Sequence, residues 1–225
     1  MSEKFLDDNI ISQVRDYLDQ MVNPVEIALF TKKEGCRSCE DTKQLMEEIV
    51  AISNKLSLIL YDFDQDKEKA KELKVDKTPM IVLLAKNGSQ VKDYGLRYAG
   101  LPGGHEFGTF INDIVFVSKG ETSLSSTMKD FLRSLTKPVK MLVFFTPSCP
   151  HCPRAVSLAH QMAIESPIVE AEAIAANDFY ELSNEYDVTG VPHTAILGSD
   201  NHLIHTVIGG VPETYLLEEL KSKLQ

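Results

Sequence analysis

No run of the 225-residue sequence approaches the about 20 consecutive apolar residues that a membrane-spanning helix needs, and Met1-Ser2-Glu3-Lys4 offers neither a basic leader nor an apolar core. A cytoplasmic address with no membrane partner is the expectation. Positive charge is also scarce, with 23 Lys and Arg against 33 Asp and Glu, for a net charge of −10. Phosphate backbones are held by clustered cations, so no nucleic-acid partner is expected. Signs of disorder are missing too, since 43% hydrophobic and 25% charged residues are ordinary for a packed globular chain. Cysteine is sparse and confined to two places, Cys36-Arg37-Ser38-Cys39 and Cys149-Pro150-His151-Cys152. Structural disulfides would not be restricted to such tight pairs, and static bridges are rare in a reducing compartment. The pairs read as redox centres. Zinc is the rival, because two C-x-x-C pairs supply four thiolates. The intervening segment of more than 100 residues, against about 15–20 in a compact zinc ribbon, weighs against it. No metal and no cofactor are expected.

What surrounds the second pair gives it chemical meaning. Met141-Leu142-Val143-Phe144-Phe145 is an apolar, β-prone run, and an amphipathic helical pattern follows from Arg154 to Ile164. The pair therefore falls at a strand-to-helix turn, with Cys149 expected as the N-cap and Pro150 at the first helical position, where its fixed φ fits. Unpaired N–H groups and the helix dipole stabilise a thiolate there, lowering its pKa. Cys152, one turn on, is expected to resolve. His151 and Arg37, each between two cysteines, are expected to support the thiolates, as is Pro150.

The arrangement occurs twice. Cys36 lies 113 residues before Cys149, again between an apolar run (25–30) and a helical one (42–52). Val75-Asp76-Lys77-Thr78-Pro79 matches Val188-Thr189-Gly190-Val191-Pro192 at the same offset, and Asn23-Pro24-Val25 matches Lys137-Pro138-Val139 at 114. Gly100-Leu101-Pro102 answers Gly210-Val211-Pro212 at 110. Small indels between matched anchors mark a duplicated domain, and the polar segment 119–123 is its boundary: units 1–118 and 119–225. Periodicity predicts, in the first unit, helix 8–21, strand 25–31, helix 36–54, strand 56–63, helix 65–73, hairpin strands 80–85 and 91–98 around Lys86-Asn87-Gly88-Ser89, and helix 104–117. The second unit repeats the order with helices 125–135, 150–164, 177–186 and 212–224 and strands 139–146, 167–174, 192–197 and 203–208. Each unit reads β-α-β-α-β-β-α behind a leading helix.

A C-x-x-C on a strand-to-helix turn, followed some 40 residues later by Thr-Pro or Val-Pro opening a hairpin, resembles the thioredoxin fold. Two such units are similar to the glutaredoxin-like protein disulfide oxidoreductases of hyperthermophilic archaea and bacteria. The resemblance covers essentially the whole chain. It implies an α/β chain of two tandem thioredoxin-like units, each a central mixed β-sheet flanked by helices. Phe145-Thr146-Pro147-Ser148-Cys149-Pro150-His151-Cys152 is close to the glutaredoxin signature, in which Tyr usually stands at the position of His151, whereas Cys36-Arg37-Ser38-Cys39 has no internal proline. By the same resemblance Pro79 and Pro192 are the family's cis-prolines, with Thr78 and Val191 presenting backbone groups to a substrate chain. Thioredoxins also place a buried acid six residues before the first cysteine, where this sequence has Phe30 and Val143.

The resulting expectation is thiol-disulfide exchange on protein disulfides, by attack of Cys149 or Cys36 and resolution by Cys152 or Cys39. Implied partners are protein substrates and a thioredoxin-reductase-like flavoprotein. The alternatives are a dedicated electron carrier between a flavoprotein reductase and a peroxidase-type partner, or a binding or chaperone-like module with vestigial cysteines. Glu40 and Asp41 follow the first pair and Pro153 and Arg154 the second, so Cys149 is expected to be the more acidic thiol. His193, next to Pro192, is a candidate lining residue; His105, His160, His202 and His205 read as structural or exposed. Asp62, Asp64 and Asp66 resemble the opening of a calcium loop but lack its Gly and closing Glu, which makes a solvated loop the expectation.

Overall fold

The computed structural model describes residues 4–88 and 90–224. Ser89 of the predicted hairpin turn and Met1, Ser2 and Glu3 of the N-terminal tetrapeptide lie outside the described residues. The first half runs α1 (Asp8–Leu18), β1 (Val25–Thr31), α2 (Cys39–Val50), β2 (Leu56–Asp62), α3 (Lys67–Glu72), β3 (Met80–Asn87), β4 (Gln90–Ala99) and α4 (Glu106–Lys119). The second repeats that order as α5 (Ser126–Ser134), β5 (Val139–Phe145), α6 (Cys152–Glu165), β6 (Val169–Ala175), α7 (Tyr180–Glu185), β7 (His193–Leu197), β8 (Leu203–Ile208) and α8 (Glu213–Leu224).

Each half contributes four strands in the same spatial order. β2-β1-β3-β4 and β6-β5-β7-β8 each combine one parallel and two antiparallel pairs. The tandem thioredoxin-like architecture expected from the sequence is present. The two sheets do not stand apart, however. Leu96–Ala99 of β4 pair in parallel with Ala171–Ile174 of β6, making one eight-stranded sheet. Nothing in the sequence of β4 announces this partner, because an alternating strand shows that its faces are covered and not which edge it meets.

Alternation along the central strands fixes the layers. Val25, Ile27 and Leu29 of β1 and Val139, Met141, Val143 and Phe145 of β5 face one cluster, shared with α1, α2, α4, α5, α6 and α8. Ala28 and Phe30, with Leu142 and Phe144, face the opposite one, closed by the short α3 and α7 through Ala70, Leu73, Leu182 and Tyr186. Both central strands are therefore covered on two sides, which is why they read as continuous apolar runs. Full burial of each such side chain contributes about 1.5–3 kcal/mol.

Polar groups lock the joint between halves. The Glu172 carboxylate, 2% exposed, lies 2.6 Å from Lys77 Nζ of the first half and 3.3 Å from Lys140 Nζ of the second. On the other face, Tyr98 at the end of β4 donates its hydroxyl to Asp113 of α4 at 2.6 Å, and the same Asp113 oxygen is 2.6 Å from His160 Nδ1 of α6. All three are fully buried, and the Tyr98 and His160 rings meet edge to face at 4.8 Å.

Candidate active site

Both cysteine pairs are oxidised, with Cα–Cα separations of 5.6 Å for Cys36–Cys39 and 5.5 Å for Cys149–Cys152. Each pair follows the central strand of its half and opens a helix, as the sequence predicted. The helices start later than expected. α2 begins at Cys39 with Ser38 at the cap position, and α6 begins at Cys152 with His151 there and Pro153 in its first turn. Cys149 is thus not the N-cap and Pro150 not the first helical residue. Of the two prolines flanking Cys152, Pro153 takes the early helical place, leaving Pro150 in the turn before it. The sulfur still lies within reach of the helix N-terminus, because the Cys152 N–H donates to Cys149 Sγ at 3.1 Å. In each pair the first cysteine is the more accessible: Cys36 is half-buried against 3% exposure for Cys39, and Cys149 is 8% exposed against none for Cys152.

The Thr78–Pro79 and Val191–Pro192 peptide bonds are both cis. Thr78 and Pro79 line a cavity of about 360 Å³ together with Arg37 and Ser38, so the two residues between the first cysteines and the proline turn share one space. In the second half Val191 packs against the cluster that contains Cys149 and Cys152. The turn after β8 closes on the same place: a Cβ on Gly210 would fall 2.6 Å from the His151 carbonyl oxygen, an approach only glycine permits. His151 itself is exposed. Arg37 is exposed too, and its guanidinium donates to the Asn177 carbonyl oxygen at 3.4 Å.

Sequence reasoning found no buried acid, since Phe30 and Val143 occupy the thioredoxin position. The structure supplies one from elsewhere. Glu106, in the first turn of α4, is fully buried and neither carboxylate oxygen has a hydrogen-bond partner. Burial, reinforced by the charge of Asp113 and opposed by the nearby Thr109 hydroxyl, pushes its carboxyl up from 4.5 to about 7. Its position follows from how α4 and α6 lie together. Asp113 meets His160 midway, and at the N-terminal ends the His105 N–H donates to the Pro147 carbonyl at 2.9 Å. The helices therefore run in the same direction, and Glu106 sits at the end of α4 that meets the turn before Cys149. The approach is close enough that a Cβ on Gly104 would lie 2.2 Å from the Pro147 oxygen. One signal was available: an acid opens the last helix of each unit, Glu106 after Gly100-Leu101-Pro102 and Glu213 after Gly210-Val211-Pro212. Glu213 instead holds the Ser125 hydroxyl at 2.5 Å near the surface.

Other candidates fall away from the cysteines. His193 pairs in register with Phe144 and meets its ring edge to face at 5.8 Å, which places it on the α7 side of the sheet, opposite the cluster holding Cys149 and Cys152. Burial lowers its pKa. His205 pairs with Glu219 at 2.7 Å, His202 with Asp200, and His105 is exposed. The Asp62–Asp66 segment is a turn held by its own carboxylates, with Asp64 N–H donating to Asp62 Oδ1 at 3.0 Å and Asp62 N–H to Asp66 Oδ2 at 2.7 Å. Among the described residues no group of three or more His, Cys, Asp or Glu is placed to hold a metal ion, and no helix is long and apolar enough to cross a membrane.

The comparisons with known proteins agree with this geometry. The thioredoxin domain model matches residues 139–222. Thioredoxin of Methanocaldococcus jannaschii is 33% identical over 87 residues, covering 38% of this chain and 96% of that protein. An alkyl hydroperoxide reductase component (AhpF) of Escherichia coli is 26% identical over 195 residues, 87% of this chain. The chain spans about a third (34%) of the length of that relative. Among solved structures, the AhpF component of Enterococcus faecalis superimposes with a TM-score of 0.85 at 22% identity, over 96% of this chain and 100% of that one. A protein disulfide oxidoreductase from Aeropyrum pernix K1 also superimposes with a TM-score of 0.85, at 32% identity over 98% of this chain and 95% of its own. With two thioredoxin-like units, a C-x-x-C at the head of a helix in each, and that likeness along its whole length, the chain belongs to the protein disulfide oxidoreductases.

Proposed function

We propose that the chain reduces, oxidises or isomerises disulfides of protein substrates at both pairs, the first cysteine of each attacking and the second resolving. The observation that carries this reading is the graded exposure repeated at the two sites, with Cys36 and Cys149 reachable and Cys39 and Cys152 behind them. In the reducing direction the Cys149 thiolate attacks one sulfur of a substrate disulfide. That S–S bond breaks, and the departing substrate sulfur takes a proton from solvent. Cys152 then loses its proton and attacks Cys149 Sγ, the mixed disulfide breaks, and the second substrate sulfur leaves and takes up a proton in turn. The substrate gains two electrons and two protons, and the chain is left with the Cys149–Cys152 disulfide. Glu106, at the end of α4 that meets the turn before Cys149 and half-ionised near neutral pH, is suited to receive the Cys152 proton. Thr78, Pro79, Val191 and Pro192 are proposed to receive the substrate backbone beside the sulfurs. His151, Pro150 and Arg37 flank the thiolates at the mouths of the two sites.

Residues 1–118 and 119–225 are proposed as the two units, and a reducing, cytoplasmic setting suits cysteines kept only in exchangeable pairs. The likeness to the alkyl hydroperoxide reductase component supports a second reading, that of an electron carrier between a flavoprotein reductase and a peroxidase-type partner. Insulin reduction driven by a chemical thiol donor tests the first. Turnover that is present in the parent chain and lost when Cys149→Ser and Cys36→Ser are combined supports disulfide exchange, and a parent chain inert in this assay leaves only the carrier or a non-catalytic binding module.

A further inference from the structure

The first cysteine pair is not assembled by its own unit alone. Ser38 occupies the cap position of α2, where a hydroxyl would ordinarily accept from the helix N–H groups, yet its side chain makes no such bond. It turns outward and donates to Asp178 Oδ2 at 2.5 Å. Asp178 belongs to the second unit, in the turn that leaves β6. Its neighbour Asn177 takes the Arg37 guanidinium through its carbonyl oxygen, so both residues between Cys36 and Cys39 are held by one turn of the other half. The carboxylate is wedged against the segment beyond β4 as well. Gly100, at φ 96°, donates its N–H to the Pro79 carbonyl at 3.0 Å, and a Cβ there would lie 3.0 Å from Asp178 Oδ2 and 2.5 Å from Ala175 Cβ. At the second site the matched glycine, Gly210, packs instead on the His151 backbone of its own C-x-x-C.

From this geometry we propose that Asp178 is a positioning residue of the first redox site, fixing a negative charge beside Cys39 so that the second unit sets the poise of the first unit's cysteines. The proposal rests on the reading of Cys36–Cys39 as a redox centre. A carboxylate hydrogen-bonded to the residue before Cys39, at the end of α2 that would otherwise favour an anion, opposes thiolate formation in the reduced pair and so favours the disulfide. Glu40 and Asp41 in the same helical turn act in the same sense. Two of the surrounding cations are engaged elsewhere. Lys77 is taken up by Glu172 and Asp76, Arg37 is drawn to Asn177, and Lys32 with Asp76 completes the charged lining of the cavity.

The test uses the full chain carrying Cys149→Ser and Cys152→Ser, so that only the first pair cycles, with and without Asp178→Asn. Asn keeps an oxygen that accepts from Ser38 and removes only the charge. Equilibration in a glutathione buffer should shift the pair toward the dithiol by roughly threefold to tenfold in Asp178→Asn, with a parallel fall in the Cys36 pKa read by thiolate absorbance. Asp178→Ala, checked for an unchanged melting temperature, should shift it in the same direction. A pair that cycles with the same equilibrium and the same pKa in the parent and in Asp178→Asn overturns the proposal, because a role in packing alone would leave both unmoved. A pair that does not cycle at all overturns the redox reading of this site, and the proposal with it.

Discussion

Replacing Glu106 by Gln gives the most quantitative test of the buried acid. An ordinary carboxyl ionises at 4.5, whereas this one, fully buried in the first turn of α4, holds its proton to about 7. Between these values the unfolded chain has released a proton that the folded chain retains, so the side chain lowers stability as pH rises, fully so above 7. At about 1.4 kcal/mol per pKa unit, the loss approaches about 3 kcal/mol, of which about 2.5 falls between pH 5 and pH 8. Gln has the same shape and no charge to bury. The stability of Glu106→Gln relative to the parent should therefore climb by about 2.5 kcal/mol across that interval, roughly 1 M in urea midpoint for a chain of this size. Urea titrations of both oxidised proteins at several pH values read the difference directly, and charges common to the two cancel. A difference constant to within about 1 kcal/mol from pH 5 to pH 8 would refute the reasoning, since Glu106 would then ionise alike in folded and unfolded chains.

Three further outcomes are expected. Cys149→Ser should remove most insulin reductase activity, while Cys152→Ser should retain attack and accumulate mixed disulfides visible by mass spectrometry; near-parental turnover in the former would show that the first pair dominates. In chains that each keep one pair, thiolate absorbance should give Cys149 a lower pKa than Cys36, with Glu40→Gln moving Cys36 downward. Asp113→Ala leaves the Tyr98 hydroxyl and His160 Nδ1 buried without their shared acceptor. It should cost about 2–4 kcal/mol in denaturant unfolding, and a cost under about 0.5 kcal/mol would show that the buried network contributes little.

Much of this was legible in the sequence because duplication repeats anchors that are hard to misread. Cys36 and Cys149, Pro79 and Pro192, and the apolar runs of β1 and β5 recur at nearly one offset, and runs covered on both sides carry an unambiguous signal. The start of α6 was misplaced because Pro150 and Pro153 both fit a first turn, and only the backbone shows which is used. His193 was misjudged for a related reason: neighbouring residues on a strand point to opposite faces, so adjacency to Pro192 carries no information about which cluster a side chain joins. Glu106 and Asp178 were missed because an acid at a helix start or in a turn ordinarily faces water. The partners of Asp178, Ser38 and Gly100, come from the other unit, which one unit's periodicity cannot reveal.

The pairing of β4 with β6 also fixes a symmetry. Were two identical units joined through the same edge of each, a twofold axis would give both cysteine pairs the same environment, and any difference between them would have to be written into their own residues. Here one unit offers its β4 edge and the other its β6 edge, so the halves are related more as successive steps than as mirror partners, and β2 and β8 remain the outer edges. Under that relation no operation exchanges the two sites. The first is touched by the turn after β6 and the second by the head of α4. Mutations confined to either contact can therefore alter one redox centre while leaving the sequence around both C-x-x-C motifs unchanged.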